Sequence, residues 1–558
     1  MKIINKGMKK EITIILISLF FTTIISNAQS GQWTWMNGDS SFYSAGGGVN
    51  QYGLFDSTNH PGNWYDACEW TDLSGNFWIF GGRASVNILL SGLEEFKPSI
   101  NEWAVIKVKV GQNRGGIYGI QNINDTANSP GCRGDGVATW VDTSGNLWLF
   151  GGYGFDKDSI KGALSDLWKY TIATNTWTWI AGPDTANSPG NYGTIMVPSS
   201  ANNPPARFYT NCSWTDNNNN LWLFGGFEQY VGQGRLSDLW KYDIATHQWT
   251  WMKGPNTLDQ PAVYGTMGVP NINNIPSARF CYNKWKDSHG NFWLFGGSGP
   301  GSAFNVLNDM WKYNPITNEW TWMSGTNVLN NTGTGTTHCN PSVNYNPGAR
   351  YDNRACWTLG CDNFVLFGGS IDSTASNDGN DLWCYSVNTN KWTLMSGTLN
   401  PNDTGNYGVK LVSSSSNLPP SREEANGWTD NNGNLWMFGG LDIHSNKRFS
   451  DMWRFVPDTT CPHKCINSGT EEISLNKNEV IIYPNPFNNT TTLIIKGNTS
   501  QAGYTISIYN LLGQEVRSIY TGSNKEIIIN REDLSSGMYF YRLIDNTGQS
   551  VSGKLFIE

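Results

Sequence analysis

Residues 213–226 read Ser-Trp-Thr-Asp-Asn-Asn-Asn-Asn-Leu-Trp-Leu-Phe-Gly-Gly, and residues 238–251 read Asp-Leu-Trp-Lys-Tyr-Asp-Ile-Ala-Thr-His-Gln-Trp-Thr-Trp. Trp214 stands eleven residues ahead of Gly225, and the same spacing separates Trp70 from Gly81, Trp140 from Gly151, Trp285 from Gly296, Trp357 from Gly368 and Trp428 from Gly439. The glycine pairs follow one another at steps of 70, 74, 71, 72 and 71 residues. Self-similarity at a fixed period decides architecture before any other signal.

Each repeat carries four strand signals. The first ends in the reference tryptophan, as in 207–214. A turn rich in Asp, Gly and Asn follows, such as Asp142-Thr143-Ser144-Gly145-Asn146, whose residues tolerate positive φ or bond their own backbone. The second strand is Leu-Trp-Leu-Phe, apolar on both faces, so its sheet must be covered on both sides. Asp-Leu-Trp-Lys-Tyr at 166–170 and 238–242 forms the third, and Trp-Thr-Trp at 177–179, 249–251 and 320–322 the fourth. Four antiparallel strands per unit, buried on both faces, describe a propeller blade.

The ends of the array predict its closure. The chain opens with a lone fourth strand, Trp33-Thr34-Trp35, and the sixth unit lacks one after its third strand at 451–455. The first strand is therefore expected to complete the last blade, closing six blades with no free edge. The expected fold is all-β: a six-bladed propeller over 29–456, a linker over 457–478 and a small β-sandwich over 479–558. These repeats resemble the kelch family, whose signature is the Gly-Gly after an apolar strand with downstream Tyr and Trp. That family spans galactose oxidase, a sialic acid epimerase and non-catalytic binding platforms, so the resemblance implies fold rather than activity.

Residues 1–28 have the layout of a secretory signal: Lys2, Lys6, Lys9 and Lys10, an apolar run over 12–25, then Ser26-Asn27-Ala28. That run is shorter than the roughly 20 residues of a membrane span, and no later stretch suits one. A net charge of −8 argues against nucleic acid as a partner. Cys68 and Cys212 read as buried thiols, and Cys461 with Cys465 as a local disulfide.

An arginine opens strand one in five repeats (Arg133, Arg207, Arg279, Arg350, Arg422), and an aspartate opens strand three in the same five (Asp166, Asp238, Asp309, Asp381, Asp451). The remaining repeat has Asn63 and Gly92 in those places. Joint loss points to a structural ion pair, because losing one partner alone would leave an uncompensated charge. The competing reading is a ring of cations for an anionic ligand. From strand four to the next arginine position the chain always takes 28 steps, with Tyr-Gly at one offset (Tyr118, Tyr192, Tyr264, Tyr407). Constant length argues for ordered loops over one face, anchored by tyrosine.

Ligand contacts are expected where repeats disagree: Arg354, His338, His60, Glu94 and Glu95. The six histidines are scattered, so no copper site like that of galactose oxidase is expected, and no metal or cofactor. The Thr-Asp-x-x-Gly-Asn-x-Trp turn resembles the aspartate boxes of sialidases, which stabilise hairpins. Paired carboxylates for glycoside hydrolysis cannot be placed.

After Cys465 the tryptophans stop. Tyr483-Pro484-Asn485-Pro486-Phe487, then Gly537-Met538-Tyr539-Phe540-Tyr541, then Gly553-Lys554-Leu555 resemble the type A sorting domain of type IX secretion in Bacteroidetes. That resemblance, carried by Pro484, Asn485, Pro486, Gly537, Tyr539 and Lys554, implies recognition by an outer-membrane translocon, removal of the domain, and release or surface attachment. The expected function is non-catalytic binding of an extracellular glycan or protein; the alternative is a carbohydrate-active enzyme (epimerase, lyase or hydrolase) using the long-loop face.

Overall fold

The computed structural model describes residues 31–458 and 480–557, apart from 41–51, 109–110, 211, 230–231, 281, 302–304, 336, 373–375, 496–502, 511–513, 523 and 546–549. The expected signal at 1–28, nearly all of the linker and the Cys461–Cys465 pairing lie outside the described residues. The chain divides into two compact units, Met1–Lys464 and Cys465–Glu558.

In the first unit the repeats form six four-stranded antiparallel sheets. Their innermost strands, Cys68–Thr71, Ala138–Val141, Ser213–Thr215, Asn283–Lys286, Cys356–Leu359 and Asn426–Thr429, neighbour one another in order, and the last lies beside the first. The ring is a six-bladed propeller. Gln32–Asn37 pairs antiparallel with Met452–Val456 as the outermost strand of blade 6, so the start of the chain closes the circle. Second strands such as Leu147–Phe150 and Leu435–Phe438 are buried at every position, because each blade is covered on both faces by its neighbours.

The glycine pairs are joints between blades. Gly82, Gly152, Gly226, Gly297 and Gly369 each donate their N–H to the carbonyl of the next blade's arginine (2.8–3.0 Å), and Gly440 donates to Trp64 across the seam. At Gly151, with φ +70°, a Cβ would stand 2.9 Å from the Arg207 carbonyl, so a side chain there would push two blades apart. The reference tryptophans add a second joint. Trp70, Trp140, Trp214, Trp285 and Trp357 donate their indole N–H to a backbone carbonyl in the following blade.

The Arg–Asp residues meet within each blade at 2.6–2.8 Å, essentially buried in all five. Each arginine also bonds the carbonyl of the first glycine of the pair and the carbonyl two residues before itself, as Arg207 does with Gly225 and Pro205. These guanidinium groups are buried and turned to protein acceptors rather than to a surface where an anionic ligand could reach them. Burial pushes the Asp166 carboxyl up, but the Arg133 guanidinium and hydrogen bonds from Tyr118 and Trp168 outweigh it and hold it low. One detail differs from the sequence expectation. The arginine precedes strand one rather than opening it: Arg207 lies six residues ahead of Ser213–Thr215. Between them sits a non-glycine residue with positive φ, such as Tyr209 at 53°, which interrupts the ladder.

The five described long loops each carry one internal bridge, for example Asn191 with Asn203 and Val263 with Ile275. Asn128, Asn202, Asn274 and Asn417 tie four of them to strand four by donating to the carbonyls of Trp177, Trp249, Trp320 and Trp33. Cys68 and Cys212 are fully buried free thiols, and Cys339 and Cys361 are each disulfide-bonded.

The second unit has a three-stranded sheet (Val480–Tyr483, Thr490–Ile495, Glu526–Asn530) and a four-stranded sheet (Tyr504–Tyr509, Glu515–Gly522, Gly537–Asp545, Ser550–Ile557). Alternating Leu493, Ile495, Ile506, Ile508, Ile527, Ile529, Leu543 and Leu555 fill the space between them, as in a sandwich.

Candidate functional site

The arginine-to-strand segment that breaks the ladder also builds the mouth of the central channel, on the long-loop face. Its left-handed residues are Asp66 (φ 58°), Asp135 (58°), Tyr209 (53°), Asp352 (52°) and Glu424 (56°), from blades 1, 2, 3, 5 and 6. They are linked blade to blade. Glu424 N–H donates to the Asp352 carbonyl (2.8 Å), Asp66 N–H to the Glu424 carbonyl (3.3 Å) and Tyr209 N–H to the Asp135 carbonyl (2.6 Å). Gly136 N–H reaches Asp66 Oδ1 (3.0 Å). Position 281, the equivalent in blade 4, lies outside the described residues.

Four carboxylates therefore converge on the channel axis, and two are neutralised by guanidinium groups from other blades. Arg83 makes a two-pronged ion pair with Asp135. Arg354, from blade 5, reaches past blade 6 to Asp66 and to the Ala67 carbonyl (2.8 Å). Burial lowers the Arg354 guanidinium to about 10, with Glu424 opposing, so it stays cationic at neutral pH.

Burial together with the surplus of acid raises several of these carboxyl groups. Burial, then the carboxylates of Asp352 and Asp135, push Glu424 well above the usual range, although Arg354 and Arg83 pull it back; its Oε2 has no hydrogen-bond partner. Glu423 is likewise pushed up by burial and by Asp378, Asp352, Glu424 and Asp442. Asp378 is pushed up to about 8 by burial, against a hydrogen bond from Ile443 N–H, with Asp442, Asp352 and Asp372 adding to the rise. The mouth thus gathers several carboxyl groups, some held above their usual range, and two guanidinium groups. Among the described residues, no group of three or more His, Cys, Asp or Glu side chains is placed to hold a metal ion.

Deeper in the channel, the residues one before the reference tryptophans line a cavity of about 220 Å³, among them Glu69, Thr139, Lys284, Cys356 and Gly427. Glu69 accepts from Asn426 Nδ2 (2.7 Å) and Gly427 N–H (3.0 Å), and burial pushes it up to about 7. Burial lowers Lys284, whose ammonium donates to Ser213 Oγ at 2.6 Å.

Of the five residues singled out from repeat disagreement, only Arg354 stands at the mouth. His338 is exposed on its loop with Nε2 3.0 Å from the Gly397 carbonyl, and His60 Nδ1 lies 3.0 Å from the Pro61 carbonyl. Glu94 and Glu95 are buried in the third strand of blade 1, Leu93–Lys97, where blades 2, 3 and 4 have Trp-Lys. Burial raises Glu94 to about 8; burial and Asp72, against Lys97, raise Glu95 to about 7. The residues missed are Asp66, Asp135, Asp352, Glu423 and Glu424. A signal existed: the second residue after the arginine is Asp135, Asp352 and Glu424 in three repeats.

In the C-terminal unit, Asn485 ties the first motif to the last. Its Nδ2 donates to the Lys554 carbonyl (2.9 Å) and its Oδ1 accepts from Phe556 N–H (2.8 Å). Tyr539 is buried with its hydroxyl on the Ser535 carbonyl (3.1 Å), and Gly537 opens the final hairpin opposite Ile557.

Residues 481–558 match the family of secretion system C-terminal sorting domains. The chain therefore carries a type IX sorting domain, which directs export to the cell surface or extracellular space. No helix among the described residues is long and apolar enough to cross a membrane. Part of the chain is similar to multiple epidermal growth factor-like domains protein 8. The human protein is 29% identical over 128 residues, which is 23% of this chain and 4% of that protein. The rat protein is 28% identical over 119 residues, which is 21% of this chain and 4% of that protein. The chain thus spans about 4% of the length of these relatives. A solved structure, that of YjhT, aligns at a TM-score of 0.43 with 11% identity, covering 72% of this chain and 95% of that one.

Proposed function

We propose that this protein is an exported propeller of the kelch type that binds an extracellular glycan at its acidic channel mouth. The observation carrying the reading is the clustering of Asp66, Asp135, Asp352 and Glu424 with the guanidinium groups of Arg83 and Arg354 among them. A polyhydroxyl ligand needs donors and acceptors interleaved at short range. An array of uniformly ionised carboxylates would offer acceptors alone. The mouth lies on the face of the long, bridged loops, which we take to suit a sugar chain better than a flat protein partner. Export runs through the signal peptide and then the type IX translocon, with removal of the C-terminal domain leaving the propeller released or surface-attached.

One observation favours a carbohydrate-active enzyme as the second reading. Burial and neighbouring carboxylates raise Glu424 and Asp378 above the usual carboxylate range, the direction a general acid needs. The purified protein applied to a glycan array, with analysis of products from each retained glycan, separates the two. Retention without turnover is expected; new products would favour the enzyme, and no retention together with no products would sink both.

A further inference from the structure

Four of the five buried charge pairs are closed by the same set of donors. Oδ2 of Asp166, Asp238, Asp309 and Asp451 accepts from an arginine Nη2, from the indole N–H two residues on, and from the hydroxyl of Tyr118, Tyr192, Tyr264 or Tyr407 at 2.5–2.9 Å. In blade 5, Asp381 Oδ2 keeps Trp383 Nε1 (2.6 Å) and Arg350 Nη2 (2.8 Å) but has no tyrosine. The position fifteen residues before Arg350, which holds tyrosine in those four repeats, is Gly335.

Two neighbouring positions change with it. The tryptophan packed edge-on against each tyrosine (Trp179, Trp251, Trp322 and Trp35, at 4.9–5.2 Å) becomes Leu394. The loop-anchoring asparagine becomes Tyr345, which packs beside Gly335 rather than over the carboxylate. What remains is a cavity of about 340 Å³, whose lining includes Trp383, Ile371, Leu399, Thr334 and Asn346 together with Arg350 and Asp381. Here alone both side chains of a pair are partly reachable, at 2% and 6% exposure against 0% in the other four.

We propose that this cavity is a binding site for a single six-membered ring bearing a free hydroxyl. The hydroxyl donates to Asp381 Oδ2 in place of the absent tyrosine, and the ring lies against Trp383. The equivalent Oδ2 accepts three donors in each of the other four pairs, so Asp381 Oδ2, with two, has room for a third. The pair is already neutral: an anion would meet Asp381 and a cation Arg350, which leaves an uncharged donor as the fitting group. The volume lies near the low end of ligand pockets, roughly 300–1,000 Å³, and suits one ring rather than a chain. Both a phenol and a pyranose supply this chemistry. The site is separate from the channel mouth and does not depend on its reading.

The test titrates the full chain with p-cresol, and separately with methyl glucoside, galactoside and mannoside, by saturation-transfer NMR. Leu399→Trp and Thr332→Trp, at exposed rim positions, are designed to fill the cavity, and circular dichroism checks that each folds. Saturable binding of at least one probe, weakened tenfold or more by whichever filling variant folds, is the expected result. The probe that binds identifies the source, phenol or sugar. No saturable binding by any probe, or binding that the filling variants leave unchanged, overturns the proposal. Pyranoside binding untouched by the variants would overturn this site while leaving the mouth reading standing.

Discussion

At the scale of single residues, the charge pairs are scaffold, and their value lies in completeness. Arg207 spends its donors on Asp238, on the Gly225 carbonyl of the bulge and on the Pro205 carbonyl, all without solvent. Arg207→Ala strands a buried carboxylate and should cost about 3–5 kcal/mol. Removing Asp238 as well should cost clearly less than the sum of the single changes, which a double-mutant cycle from urea midpoints measures. Blade 1, where Asn63 and Gly92 replace both, is the natural form of that double change. Buried carboxyl groups supply a pH prediction. Folding raises Glu94 and Asp378 to about 8 and Glu69 to about 7, above ordinary carboxylate values. A raised carboxyl contributes stability that is full below its unfolded pKa and is lost as pH climbs through the folded one. Propeller stability should therefore fall between roughly pH 4 and 8 from these groups. Glu94→Gln, which cannot ionise, should flatten that slope and gain about 1 kcal/mol or more at pH 8 relative to pH 4. An unchanged slope in thermal melts across that range would contradict the assignment.

At the scale of elements, closure depends on one six-residue strand. Gln32–Asn37 meets the rest of blade 6 through Met452–Val456, and Trp33 sits between Phe367, Trp453 and Phe455 at ring distances of 5.1–6.4 Å. Trp33→Ala should cost about 3–5 kcal/mol. Hydrogen exchange should rise first in Met452–Val456, the strand it covers. Trp33→Phe should cost far less, because the indole N–H has no partner to lose. The sequence made this element legible, since a lone Trp-Thr-Trp at the start and a missing one at the end leave one solution. The Arg–Asp contacts were legible for a similar reason: two columns that vary together must share an energy term. The mouth was not. Its carboxylates lie in a column that changes identity between Asp, Tyr and Glu, and blade 1 shifts it by one residue, with Asp66 three rather than two beyond Asn63. Nothing in composition signals a left-handed backbone at non-glycine residues, and that turn is what carries these side chains to the axis. Glu94 and Glu95 lie inside a strand, since repeat disagreement also marks places where a blade has repacked internally.

At the scale of the whole molecule, the type IX sorting signal lies within the second of the two units. The second has a hydrophobic core drawn wholly from its own residues, between Phe487 and Ile557, as a removable module requires. Within it, Asn485 fastens the first motif to the backbone of the last strand, so motifs far apart in sequence form one surface patch. A chain ending before residue 481 should accumulate inside the cell envelope rather than at the surface, as read by fractionation and surface proteolysis. Asn485→Ala keeps chain length and core intact while losing both clamps, and should reduce surface delivery several-fold with a smaller effect on total protein. Equal surface delivery by the truncated chain would mean that another segment carries the export signal. Normal delivery by Asn485→Ala alone would confine recognition to the exposed strands and not the motif junction.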